Sequence, residues 1–154
     1  MDKKLKVLFL CKGEPARGQI AEGFLNAEAG GQFEGVNAAT ASAALDPMAE
    51  KVMQEVGIDI SMEKSKTIAE VIRERFSYVI GIYNEAKERA PVFPFTYRIV
   101  KWNLEDPPTP GGAIEERISA FRQTRDQIKA NVEKFLQDVS DDNARGFVTL
   151  PQTR

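Results

Sequence analysis

Val7-Leu8-Phe9-Leu10-Cys11-Lys12-Gly13-Glu14-Pro15-Ala16-Arg17-Gly18 is the stretch on which the rest of the chain depends. It reads as a buried strand, a tight loop and a helix start. The apolar run brings the only cysteine of the chain to a strand end, and an arginine follows six residues later. Backbone N–H groups of the intervening loop, beside the positive end of a helix dipole, make a site for a tetrahedral oxyanion. Arg17 can grip two oxygens of such an anion at once. The plainer alternative is a structural thiol, since free cysteines are commonly core residues. The helical stretch Gln19-Ile20-Ala21-Glu22-Gly23-Phe24-Leu25 stands where a phosphate-binding helix belongs and favours the oxyanion site.

Outward from this stretch, strands and helices alternate. Leu5 to Leu10 is the first strand, a nearly continuous apolar run typical of a parallel sheet covered on both faces. The helix from about Arg17 buries Ile20, Ala21, Phe24 and Leu25 and stops near Gly30-Gly31. Phe33 to Thr40 is a second strand. Asp46 caps a helix with Pro47 at its first position and an inward stripe of Ala49, Val52, Met53 and Val56, ended by Gly57. Ser65 is the expected cap of a short helix carrying Ile68, Val71 and Ile72. Tyr78 to Ile82 is the third strand, Asn84 to Arg89 a helical turn, and Tyr97 to Trp102 the fourth strand. From about Ala113 a long helix repeats Ile114, Ile118, Phe121, Ile128, Val132 and Phe135 at three- or four-residue intervals or their multiples. That stripe is plain core.

The expected fold is α/β: one domain over residues 1–139, a doubly wound, four-stranded parallel sheet with helices on both faces. Residues 140–154 lose the periodicity and read as a polar tail, mobile or loosely docked. Ligands of such sheets bind beyond the carboxyl ends of the strands, where Cys11 emerges.

Composition narrows the chemistry. The chain has 154 residues, 42% hydrophobic and 29% charged, with a net charge of -2. This describes a globule with no general pull toward nucleic acid or anionic membrane, and no apolar stretch has the length of a membrane span. A cytoplasmic location is expected. With one cysteine and no histidine, neither an internal disulfide nor a thiolate–imidazole zinc site nor a histidine-based nucleophilic triad can be built. What remains is a thiolate favoured by backbone dipoles and Arg17, with carboxylates as proton donors. No metal and no bound cofactor are expected.

The opening resembles the low-molecular-weight protein tyrosine phosphatase family, whose signature is a cysteine, five residues and an arginine, followed by a serine. The stretch from Ala41 to Ser61 is similar to the arsenate reductase branch, and Asp106-Pro107 matches the family's general-acid aspartate. Similarity runs from about Leu5 to Phe135. The resemblance implies four parallel strands with the loop at their carboxyl edge. Lys12, Gly13, Glu14, Pro15, Ala16 and Gly18 would form the oxyanion loop around Cys11 and Arg17. Cys11 would be the nucleophile, forming a phosphocysteine or a thiol-bound arsenate, and Asp106 the proton donor to the leaving oxygen. The local alternative for Asp106 is a turn residue, since Asp-Pro-Pro-Thr-Pro-Gly-Gly is turn chemistry in any case.

The sequence also departs from the family. Glu14 replaces an asparagine and brings a negative charge toward an anion site, an effect that Lys12 could offset. Gly18 replaces the serine and removes a hydroxyl donor to the thiolate. The two further cysteines of thioredoxin-coupled relatives read Tyr83 and Ala90 here, so an arsenate reductase on this chain would need an external thiol and a redoxin partner. Pro108-Thr109-Pro110 follow the general acid where phosphotyrosine phosphatases carry tyrosines, leaving Trp102, Tyr83 or Phe95 to supply an aromatic wall.

Three readings follow. One is a thiolate enzyme acting on arsenate or phosphomonoesters through a Cys11-bound intermediate. Another is a protein tyrosine phosphatase proper. The last is a catalytically silent relative that binds an anion or a partner, for which Glu14 and Gly18 are the sequence grounds.

Overall fold

The computed structural model describes residues 3–11, 15–84, 98–104 and 113–151. Five strands, β1 (Leu5–Cys11), β2 (Phe33–Ala39), β3 (Lys66–Thr67), β4 (Tyr78–Tyr83) and β5 (Ile99–Asn103), form one sheet in the order β3-β2-β1-β4-β5. Every pairing is parallel. Chain order runs outward in both directions from β1, so its carboxyl end is the switch point of the sheet. Cys11, the last residue of β1, pairs there with Ile82 of β4.

The helices α1 (Ala16–Ala29), α2 (Pro47–Gln54) and α4 (Ile114–Ala144) cover one face, and α3 (Ile68–Val71) covers the other. Strand alternation explains the division. Val7, Phe9 and Cys11 point into the core beneath α1, α2 and α4, while Leu8 and Leu10 pack with Val71, Phe76 and Val79 on the far face. On the first face Phe135 of α4 seats against Phe33 at 6.0 Å and edge-on to Tyr78 at 5.1 Å between ring centroids.

Three expectations are corrected. Among the described residues the sheet has five strands, the additional one being β3, whose two residues carry no periodicity to read. Thr67, not Ser65, caps α3: its Oγ1 accepts from Glu70 N–H at 3.2 Å while its own N–H donates to Glu70 Oε2. Ser65 is engaged elsewhere, its hydroxyl accepting from Gln19 at 3.1 Å. The third correction is at the C-terminus, where α4 runs on through Ala144, past the boundary expected at 139/140. Its last turns are held by Asp142, which accepts from Tyr78 Oη at 3.1 Å and Arg98 Nη1 at 2.8 Å. Gly146, at φ 79°, then turns the chain, and Gln32 Nε2 donates to Pro151 O at 2.9 Å.

Two smaller differences concern expected core residues, since Val56 and Ile114 are exposed. The expected turn beyond Asn84 and the start of the fourth strand at Tyr97 lie outside the described residues. Among the described residues no helix is long and apolar enough to cross a membrane.

Candidate active site

Cys11 is 2% exposed at the end of β1, and α1 begins five residues later. Pro15 is the N-cap of α1, with no side chain accepting from the first turn and no acidic residue within it. The positive helix end is therefore uncompensated by α1's own first turn, as an anion site requires.

Arg17 has no exposed surface. Its Nη1 donates to the carbonyl of Leu104 at 2.8 Å, and Leu104 N–H in turn donates to Tyr83 O at 2.8 Å. The guanidinium is thus tied to the carboxyl ends of β4 and β5, two positions before Asp106 in the sequence. Holding one donor on a fixed carbonyl orients the planar fork.

Gly18 explains how the thiol fits. A Cβ built on it would lie 2.9 Å from Cys11 Sγ and 3.3 Å from Asn37 Cβ. Any larger residue would crowd the sulfur, so the glycine leaves the space in which this thiol sits.

Of the sequence-expected residues, Cys11, Pro15, Ala16, Arg17 and Gly18 are gathered at the switch point. Lys12, Gly13 and Glu14, together with Asp106, lie outside the described residues. Trp102 is not an exposed wall: its ring packs in the core 5.8 Å from that of Phe9. Tyr83 is half-buried at the end of β4, and Phe95 lies outside the described residues. Among the described residues no cluster of three or more side chains could hold a metal ion.

Sequence reasoning missed the buttress behind the site. Gln19 is fully buried; its Nε2 donates to Ala44 O at 3.0 Å and to Ser65 Oγ, and its Oε1 accepts from Asp46 N–H at 2.9 Å. It fastens α1 to the loops after β2 and before β3. The available signal was a polar residue beside the apolar stripe of α1, which alone has no specificity. Asn37 was missed as well. Its Nδ2 donates to Glu22 Oε2 at 3.2 Å and to Lys64 O at 3.4 Å. Burial pushes the Glu22 carboxyl up from its ordinary value, and Glu63 is pushed up by burial and by the charge of Glu22.

Known proteins share this fold. A family model described as low molecular weight phosphotyrosine protein phosphatase matches residues 6–145. The chain is 34% identical over 137 residues to an arsenate reductase of Shouchella clausii, covering 89% of this chain and 98% of that one. It is 31% identical to the arsenate reductase of Bacillus subtilis at the same coverage. Among solved structures, an arsenate reductase in its phosphate binding state matches with a TM-score of 0.72 and 30% identity, covering 87% of this chain and 98% of that one. A low molecular weight protein tyrosine phosphatase from T. tengcongensis shares the fold at a TM-score of 0.66 and 21% identity, over 88% of this chain and 99% of that one.

Proposed function

The chain belongs to the low molecular weight phosphotyrosine protein phosphatase family, and we propose that within it the protein is a cysteine-thiolate enzyme, arsenate reductase in its main activity. The observation that carries this reading is the packing of Cys11 Sγ against Gly18 in the first turn of α1, beside an Arg17 held by Leu104 O. It supports a thiolate and a guanidinium addressing one anion at the end of the sheet. The arsenate reductases cited above support the choice of oxyanion.

In this reading Cys11 attacks arsenic, an As–O bond breaks, and Asp106 protonates the departing oxygen so that it leaves as water. Arg17 and the loop from Lys12 to Ala16 hold the negative charge on the remaining oxygens. An external thiol then attacks Cys11 sulfur. The S–As bond breaks, its electron pair stays on arsenic as arsenite departs, and a mixed disulfide is left. A second external thiol releases Cys11. The sum is one arsenate and two thiols giving one arsenite, one disulfide and one water. Both reducing sulfurs must come from outside, because Cys11 is the chain's only cysteine. A thioredoxin-type protein or a small thiol with a redoxin fits that requirement.

The family itself supports a second reading, phosphatase activity. There Cys11 attacks phosphorus, the ester oxygen leaves with the proton of Asp106, and water hydrolyses the phosphocysteine. One experiment separates the two. Turnover of arsenate and of p-nitrophenyl phosphate is measured with and without added thiol and redoxin. The proposal expects arsenate turnover only with thiol, and slower, thiol-independent hydrolysis of the ester. Faster ester hydrolysis with no arsenate reduction would make the protein a phosphatase proper; activity on neither would leave a silent relative.

A further inference from the structure

Behind the site, two carboxyls meet with too few donors. Glu22 stands four residues after Gly18 on the face of α1 that meets β2. It accepts one bond from Asn37 Nδ2 at 3.2 Å, and Glu63, from the turn before β3, reaches the neighbouring Gly23, where its Oε1 would lie 3.7 Å from a built Cβ. Glu63 Oε2 is buried with no hydrogen-bond partner among the described residues. The approach is close because Gly23 has no side chain. A Cβ there would lie 2.6 Å from Ile60 Cγ2 and 3.1 Å from Met53 Cε. The charged group bearing on the pair is Lys66 of β3; β2 contributes the neutral Asn37, and α2 the apolar Met53. One cation and one amide do not satisfy two neighbouring carboxylates largely removed from water, whereas a proton between them does.

The pair also sits in a chain of contacts that reaches the active site. Next to Glu63, Lys64 O accepts from Asn37, whose side chain packs against Gly18 opposite Cys11 Sγ. Next again, Ser65 Oγ accepts from Gln19, two residues after Arg17.

We propose that Glu22 and Glu63 share a single proton at neutral pH and form a proton-dependent latch. It holds the 60–67 segment against α1 and so fixes the helix start that carries Arg17 and abuts Cys11. Loss of the proton places two like charges in contact in a poorly solvated pocket. Glu22 is fixed within α1, so the yielding side is the turn around Glu63, where Met62 is 94% exposed between the buried Ile60 and Ser65. Its movement would loosen one bond of each buttress, Asn37 to Lys64 O and Gln19 to Ser65 Oγ. Glu22 and Glu63 are positioning residues in this proposal, and touch no substrate.

The catalytic consequence rests on the function proposed above, but the latch is tested without turnover. Full-length protein labelled with carbon-13 at the glutamate carboxyls is titrated by NMR beside Glu63→Gln and Glu22→Gln variants. The rate of Cys11 alkylation by iodoacetamide is followed over the same neutral-to-alkaline range. Two carboxyls of the wild type should titrate well above the other glutamates, and Glu63→Gln should return Glu22 toward the ordinary range. The ratio of wild-type to Glu63→Gln alkylation rates should fall roughly threefold to tenfold as the pair loses its proton, the upper figure being about one pK unit of coupling. Ionisation of both carboxyls together with the other glutamates would overturn the latch. So would a pH-independent rate ratio, whichever substrate the enzyme is found to use.

Discussion

At the scale of single residues, the site is built from side chains whose burial has a stated reason. Arg17 can be fully buried because the Leu104 carbonyl takes one of its donors and because further partners complete it. Gly18 is the most informative single position. Its missing side chain is the space against which Cys11 Sγ rests. Gly18→Ala should therefore push the sulfur into another rotamer, at a cost of about 1–2 kcal/mol in transition-state alignment, or roughly a tenfold loss in kcat/KM. Steady-state kinetics and alkylation rates should fall together while the unfolding midpoint changes little. An unchanged alkylation rate would mean that the thiol does not depend on this contact. Cys11 and Arg17 were legible in the sequence because a strand end and a helix start are periodicity features. The Leu104 carbonyl was not, since a backbone acceptor 87 residues away leaves no mark in side-chain pattern.

At the scale of elements, the latch and the end of α4 make separate claims on stability. Both carboxyls of the Glu22–Glu63 pair are raised above their unfolded values, so their contribution is complete below the ordinary carboxylate range. It is lost as pH rises through the folded values. Glu63→Gln should thus stabilise the protein at alkaline pH by about 1–2 kcal/mol and flatten the fall in stability from neutral pH upward. Urea denaturation at several pH values measures it; equal slopes for both proteins would refute it. At α4, Asp142→Ala removes the acceptor for Tyr78 Oη and Arg98 Nη1 and should cost about 2 kcal/mol in the same assay. Hydrogen exchange should show the loss concentrated in the final turns of the helix. Those turns were unreadable from apolar spacing because Ser140, Asp141, Asp142 and Asn143 carry no stripe. They are held by polar contacts to β4 and to the segment before β5. The two-residue β3 was invisible for a related reason: its identity comes from pairing with Ala38 and Ala39 of β2.

At the scale of the whole molecule, the parallel doubly wound architecture was readable because buried strands and amphipathic helices alternate along the chain. Their order around β1 puts the sole cysteine at the switch point. The residues behind the site, Gln19, Asn37, Glu22 and Glu63, come from three separate segments, and no local pattern announces their meeting. Because the chain has one thiol, every turnover in the proposed reaction passes through a covalent bond to Cys11, and every reducing equivalent comes from elsewhere. The most direct test is arsenate turnover in the presence of thiol and redoxin by the wild type beside Cys11→Ser, with phosphate binding followed on both proteins by calorimetry. Turnover should vanish in the variant while phosphate still binds at Arg17 and the loop. Residual turnover by Cys11→Ser at a rate near the wild type's would contradict it.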